Sequence, residues 1–309
     1  VTESVRELLR RPWRTVAGRF WRPERGERNP ETFWMAHPEV RRRINRRITG
    51  DPDLWPIDWL RANVVTEPLG RVVVPGCGTG ELERDLVTKG LCRRVLAFDL
   101  SPRQVAEARE RARHAGVADA IDYRTAAMEE LHLPEATFDG CFFHHALHHA
   151  EDPEGLLRKL RRALRPGALL YLDEYVGPSR RQWNRRSYAA AVDAYRRLPA
   201  PVRRHRRLRI PGLLAKLSDP SESIASDRIV PAVEELFEVR HRRDYGGFLL
   251  HPLWQQIHHP PEVVARLIEE EEEQIGDHPT WYAVIVARVS QDPPDAPGRG
   301  SGTRRGAAG

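Results

Sequence analysis

The sequence predicts an α/β fold with a mostly parallel sheet, and two observations carry that reading. The stretch Arg71 to Gly80, RVVVPGCGTG, runs three apolar β-branched residues, Val72 to Val74, into Pro75 and a glycine cluster. That is the pattern of a buried strand breaking into a tight loop. Beyond it, short apolar runs alternate with amphipathic helical patterns, and the runs end on polar residues: Arg93 to Phe98 on Asp99, Phe138 to Phe143 on His144, Ala168 to Leu172 on Asp173. In an open parallel sheet, ligands bind beyond the carboxyl ends of the strands. Gly76 to Gly80, Asp99, His144 to His148 and Glu174 are therefore expected to converge on one crevice.

The elements follow in order. Gly76, Gly78 and Gly80 let the backbone bend sharply and a ligand approach closely. Glu81 to Gly90 reads as a helix with Leu82, Leu86 and Val87 on one face. A strand, a glycine-rich turn and a helix N-terminus together make a nucleotide site. Asp99 ends the second strand roughly 20 residues past the glycines, where a ribose diol is gripped. Ser101 caps the next helix with Pro102 at its first position. Arg103 to Ala115 then turns Val105, Ala108 and Ala112 inward and closes on Gly116. Ile121 to Tyr123 is a short third strand and Phe138 to Phe143 a fourth. His144-His145-Ala146-Leu147-His148-His149 follows, then a helix from Pro153 to Leu164 ended by Pro166-Gly167. Ala168 to Leu172 is the fifth strand and finishes on Asp173-Glu174-Tyr175. Leu236 to His241 and Trp281 to Val289 read as the last two strands, with a helix near Glu262 to Ile275 between them.

The chain has 309 residues and 40% hydrophobic content, enough for one large domain with insertions. Its expected parts are a helical N-terminal arm (1–65), a nucleotide-binding core (66–176), an insertion (177–230), the C-terminal part of the core (231–290) and a Pro/Gly-rich tail read as disordered (291–309). The first 30 residues are Arg-rich and carry Trp13, Phe20 and Trp21. Glu31 to Arg61 reads as two helical pieces, with Arg41 to Arg43, Arg46 and Arg47 as a solvated basic face. Glu269 to Glu273 reads as a solvated helix end. The insertion is polar, with Arg180, Arg181, Arg185 and Arg186 able to bind a phosphate or carboxylate. Formal net charge is +6, yet only Lys89, Lys159 and Lys216 are lysine. That arginine bias beside 25 prolines points to genome composition, so no nucleic-acid partner is expected. Cys77, Cys92 and Cys141 lie in or next to core strands and form no disulfide framework, which suits a reducing cytoplasm. Val1 to Arg14 lacks the apolar core of a signal peptide, and no apolar run approaches the roughly 20 residues of a membrane span.

GCGTG, FDLSP, FDGCFFHHALHH and LRPGALLYLDE, in that order and spacing, make residues 71–175 resemble the core of class I S-adenosylmethionine-dependent methyltransferases, and 231–289 more loosely. The resemblance implies a Rossmann-like, seven-stranded sheet whose last two strands form an antiparallel hairpin. It implies N-terminal helices over the active site and an insertion after strand five that forms the acceptor pocket. S-adenosylmethionine is the implied cofactor, held by Gly76, Cys77, Gly78, Gly80, Asp99, Leu100, Met128, Glu129 and His144. A small-molecule acceptor is expected against Trp34, His37, Tyr175 and Arg180. Two departures stand out. Val74 occupies the place of an acidic residue that helps hold the methionyl ammonium, and Ala126 and Ala127 the place of one that meets the adenine amine. A lost hydrogen bond to a charged group is worth roughly 1.5–3 kcal/mol.

Methyl transfer from a sulfonium is an in-line displacement, for which the protein aligns the acceptor and often accepts a proton. His145 and His148 are the first candidates for base or acceptor positioning, with Glu174 next. Packing and helix capping are the plainer reading of His144 and His149. Four histidines in six residues also suggest a metal, but no cysteine or carboxylate spacing completes a ligand set, and no metal site is expected. Three functions stay open: a methyltransferase acting on an oxygen or nitrogen of a small molecule of secondary or sugar metabolism; an enzyme of this fold that closes a ring instead; and a scaffold subunit. A homodimer or a heteromeric partner fits any of them.

Overall fold

The computed structural model describes residues 29–179, 182, 185, 188–209 and 222–291. The readings of the first 28 residues, of Arg180, Arg181 and Arg186, and of the tail after residue 291 lie outside them.

Seven strands form one sheet: β1 (Leu69–Pro75), β2 (Cys92–Asp99), β3 (Ile121–Thr125), β4 (Phe138–His144), β5 (Leu164–Tyr175), β6 (Glu238–Gly246) and β7 (Tyr282–Arg288), in the order β3-β2-β1-β4-β5-β7-β6. Neighbours up to β5 pair in parallel, and β7 runs antiparallel to both β5 and β6. The antiparallel ending is thus as the resemblance implied. Val72, Val73 and Val74 explain why β1 reads as a continuous apolar run: Val72 and Val74 enter one core, Val73 the other. Both faces of the sheet are covered, as parallel sheets require. Each buried valine contributes about 1.5–3 kcal/mol.

The α-helices among the described residues are α1 (Pro38–Thr49), α2 (Pro56–Asn63), α3 (Glu81–Thr88), α4 (Pro102–His114), α5 (Pro153–Ala163), α6 (Ala189–Arg197), α7 (Ile229–Leu236), α8 (Leu250–Trp254) and α9 (Pro261–Gln274). Ser101 caps α4 by accepting from Gln104 N, as its position after β2 predicts. None of the helices among the described residues is long and apolar enough to cross a membrane.

The structure corrects three readings. The fifth strand begins at Leu164, not Ala168, because Pro166-Gly167 sits inside a register shift between Phe138↔Leu164 and Gly140↔Leu169. A bulge of that kind absorbs a proline that a regular ladder excludes. Leu236 closes a helix instead of opening a strand: Ile229, Ala232 and Val233 are buried at helical spacing, and Pro231 falls in the first turn where it is tolerated. The two charge runs, read as solvated, meet each other in the interior. Arg43 Nη1 donates to Glu271 Oε1 at 2.9 Å and to Tyr245 O at 2.9 Å, and its Nε pairs with Glu272. Arg47 joins Glu272 at 2.7 Å. Glu271, 0% exposed, also accepts from Gly247 N, Leu249 N and Leu250 N. It saturates backbone donors at the start of α8 that a solvated glutamate would leave orphaned.

Candidate active site

The carboxyl ends of β1, β2, β4, β5 and β6 and the start of β7 lie along one edge of the sheet, because β7 is reversed. The glycine loop leaves β1 there. Gly76 and Cys77 donate to Phe98 O at 2.7 and 2.8 Å. Gly76 has φ +73°, and a Cβ there would lie 2.5 Å from the Ala146 Cβ; Gly80 has φ +75°, and its Cβ would lie 2.3 Å from the Tyr123 hydroxyl. Neither position accepts a side chain, on conformation or on space. Met128 Cε stands 3.6 Å from the same point beside Gly76, so it flanks the loop.

Asp99 ties this loop down. Its Oδ2 accepts from Gly78 N at 2.9 Å and its Oδ1 from Ser101 N at 2.8 Å. Each oxygen keeps a further lone pair, so the carboxylate can still take a diol. Leu100 is half-buried next to it, and Glu129 follows Met128 with its carbonyl held by Lys159. Cys77 stays a thiol, since burial pushes it far up, reinforced by Glu83 and Asp99. Val74 and Ala127 are buried apolar residues, so neither position supplies a charge to a ligand.

Glu83, in the first turn of α3, is the odd charge beneath the loop. It is fully buried, and neither carboxylate oxygen has a hydrogen-bond partner among the described residues. Burial pushes its carboxyl up to about 8 from an ordinary 4.5. The unfolded chain releases this proton near 4.5 while the native state keeps it. Its contribution to stability is therefore complete below that pH and is lost as the pH rises through about 8. Stability is expected to fall from pH 5 to 8 by on the order of 3–5 kcal/mol, and Glu83→Gln to flatten the decline. Urea unfolding at a series of pH values measures this; parallel profiles for both proteins would remove Glu83 as its source.

The turn after β4 is built around His145, which has φ +52°. Left-handed backbone is uncommon outside glycine, although histidine tolerates it better than most. His145 N donates to Asp173 O at 2.8 Å and pins the turn. His144 Nε2 and His145 Nε2 stand 3.8 and 3.9 Å from the two oxygens of Asp173, whose Oδ1 also accepts from Tyr245 Oη at 2.7 Å.

Glu174 lies behind this turn, fully buried. Its Oε2 accepts from Ala146 N and Leu147 N at 2.8 and 2.7 Å, its Oε1 accepts from Tyr175 N at 2.8 Å, and Oε1 pairs with His148 Nδ1. These partners enclose its carboxylate, whose link toward the edge of the sheet is that imidazole. Burial opposes charge on both partners, but their mutual attraction prevails: Glu174 is held below the usual carboxylate range, and His148, with Glu222 added, is raised to about 10. His148 Nε2 and His149 Nε2 face Glu222 Oε2 at 3.7 and 3.9 Å.

An aromatic wall completes the edge. Tyr175 has ring contacts with His148, Trp281, Tyr282 and His251, with centroids 5.2–6.0 Å apart. Tyr282 also meets His145 and Trp34, and its hydroxyl is 2.6 Å from His251 Nδ1. Burial holds His251 down to about 4, so this imidazole is neutral. Trp34 and Tyr175 are thus brought to the histidines. His37 is not: it packs against Trp254, which stacks on His259. Arg180 is outside the described residues. The sequence reading missed Glu222, His251, Trp281 and Tyr282 as site residues. Trp281 was read there only as the start of the last strand, and nothing in the polar surroundings of Glu222 marks it. A surface hollow of about 750 Å³ beside Arg47, Arg242 and His278 shares none of these residues.

Residues 73–172 match the family model described as a methyltransferase domain. The ubiquinone biosynthesis O-methyltransferase of Methylocella silvestris is 37% identical over 101 residues, 33% of this chain and 38% of that one. The 27-O-demethylrifamycin SV methyltransferase of Amycolatopsis mediterranei is 34% identical over 106 residues, 34% of this chain and 39% of that one. The matched stretch spans less than half the length of such curated relatives. Among solved structures, the geranyl diphosphate C-methyltransferase from Streptomyces coelicolor A3(2) shares the fold with a TM-score of 0.53 at 15% identity, covering 90% of this chain and 98% of that one.

Proposed function

Since the chain carries a domain of the class I S-adenosylmethionine-dependent methyltransferase family, we propose that it methylates an oxygen or nitrogen of a small-molecule acceptor. The observation that carries this reading is the glycine loop pinned by Asp99 at the sheet edge, with no room for a Cβ at Gly76 or Gly80. The residues fit the cofactor: a tight backbone cradle, a carboxylate with lone pairs to spare, and Met128 as a flat apolar flank. When bound, S-adenosylmethionine supplies an electrophilic methyl group. The chain's part is to hold the acceptor in line and dry. Tyr175, Trp281 and Tyr282 exclude water behind the reacting centre, and His148, fixed by Glu174, positions the acceptor. His145 is the other imidazole proposed to position an acceptor or take its proton.

Both sequence relatives are named for oxygen methylation or for a substrate with a demethylated oxygen, which favours an oxygen acceptor. The three free cysteines, with thiols pushed up by burial, suit the cytoplasm. A second reading, ring closure without methyl transfer, draws support from Val74 and Ala127, whose burial leaves two expected carboxylates missing around the cofactor.

Calorimetric titration with S-adenosylmethionine and S-adenosylhomocysteine tests the assignment. Binding of both is expected, weakened about ten- to a hundred-fold in Asp99→Asn as a charged hydrogen-bond partner is lost. No binding by the wild-type chain, or equal affinity in the variant, would sink it. Tight binding of the homocysteine form alone would favour the second reading.

A further inference from the structure

We propose that His148 Nε2, His149 Nε2 and Glu222 Oε2 bind a divalent first-row transition-metal ion, with coordination positions left for an oxygen of the acceptor. The ion site stands on its own geometry; only its use for an acceptor rests on the methyl-transfer reading.

Three ligand atoms converge within 4.8 Å of one another. The two nitrogens lie 3.7 and 3.9 Å from the carboxylate oxygen, too far for hydrogen bonds. Ligands about 2.0–2.2 Å from a tetrahedral zinc ion lie roughly 3.3–3.5 Å apart, so each nitrogen lies within a few tenths of an ångström of that spacing from the carboxylate oxygen. Two imidazoles and one carboxylate form a ligand set typical of an ion that keeps a position open.

The support behind the ligands is the second observation. His148 turns its other nitrogen to Glu174, and Glu174 is itself fixed by three backbone N–H groups. A carboxylate behind a ligating histidine fixes its ring and raises its basicity. Glu174 and Glu222 also bring two negative charges to one place, which a divalent ion balances. The two histidines are largely buried, and Glu222 is 35% exposed at its side chain. The cluster of His144, His145 and Asp173 has similar spacing. Its histidines, however, face different oxygens of Asp173, one of which already takes Tyr245.

The test uses the full chain, freed of metal by chelator dialysis and titrated with Co²⁺ by visible absorption, then with Zn²⁺ in competition. A single equivalent of Co²⁺ with the bands of a four- or five-coordinate ion is expected, displaced by Zn²⁺. His149→Gln and Glu222→Gln are each expected to weaken binding at least about ten-fold, and Glu174→Gln by about ten- to a hundred-fold. Glu222→Gln changes a partly exposed side chain and serves as the variant that keeps the fold, checked by its thermal melt. Failure to bind a stoichiometric ion, or unchanged binding in both ligand variants, overturns the site. So does loss of binding on His144→Gln with Glu222→Gln unaffected. Titration of the same preparations with S-adenosylmethionine separates the two ideas: cofactor binding without metal sinks the ion alone, and metal binding without cofactor sinks the methyl-transfer reading alone.

Discussion

Glu174→Ala is expected to lower the folding free energy by about 3–5 kcal/mol, the cost of leaving a buried charge without its partner. The substitution strips the acceptor from three backbone N–H groups and from His148 at once. Each orphaned donor costs about 1–3 kcal/mol when no water reaches it. The pH dependence has a definite shape. Glu174, held low, stabilises the fold above its unfolded value near 4.5 and loses that effect as the pH falls; His148, raised to about 10, stabilises it below 6.5 and loses that effect as the pH climbs through 10. The pair therefore contributes fully between pH 4.5 and 6.5 in the metal-free protein. Urea unfolding of wild type and variant across this range measures the loss, and imidazole NMR follows His148 directly. A variant within about 1 kcal/mol of wild type contradicts the assignment of Glu174 as the anchor of the turn.

Glu271→Ala is expected to cost a similar amount, about 3–5 kcal/mol, and Arg43→Met distinctly less. The asymmetry follows from what each partner leaves behind. Without Glu271, the nearly buried Arg43 guanidinium faces Tyr245 O and Glu272, while three N–H groups at the start of α8 lose their acceptor. Without Arg43, Glu271 keeps those three donors. Denaturant unfolding of the two single variants decides the matter, and equal losses would show that the ion pair alone, not the backbone donors, sets the cost.

These two anchors also mark where a linear reading stops. The glycine loop, Asp99, the strand-end histidines and Tyr175 were legible because each depends on neighbours in sequence: an apolar run, a turn and a helix cap. Val72 to Val74 declare a strand buried on both faces without reference to anything distant. Arg43 and Glu271 each sit in a run of like charge, and a run of charge describes a solvated face until its partner is known. That partner lies over two hundred residues away. Glu222 was silent for the same reason: it lies in the polar insertion, far along the chain from the two histidines it meets. The upward pull of two carboxylates on His148 was equally hidden, since it depends on Glu174 and Glu222 together, and neither is adjacent in the chain.

The reversal of β7 has a practical consequence for anyone who wishes to alter what this protein accepts. Because the strand runs backwards, the chain that follows α9 delivers Trp281 and Tyr282 to the same rim as the loops of the parallel strands. On the proposed reading, the wall facing an acceptor is thus written in segments separate from those that hold the cofactor. A combinatorial library confined to Tyr175, His251, Trp281 and Tyr282 leaves β1, β2 and their loop untouched, so new selectivity can be sought without rebuilding the half that holds the methyl donor.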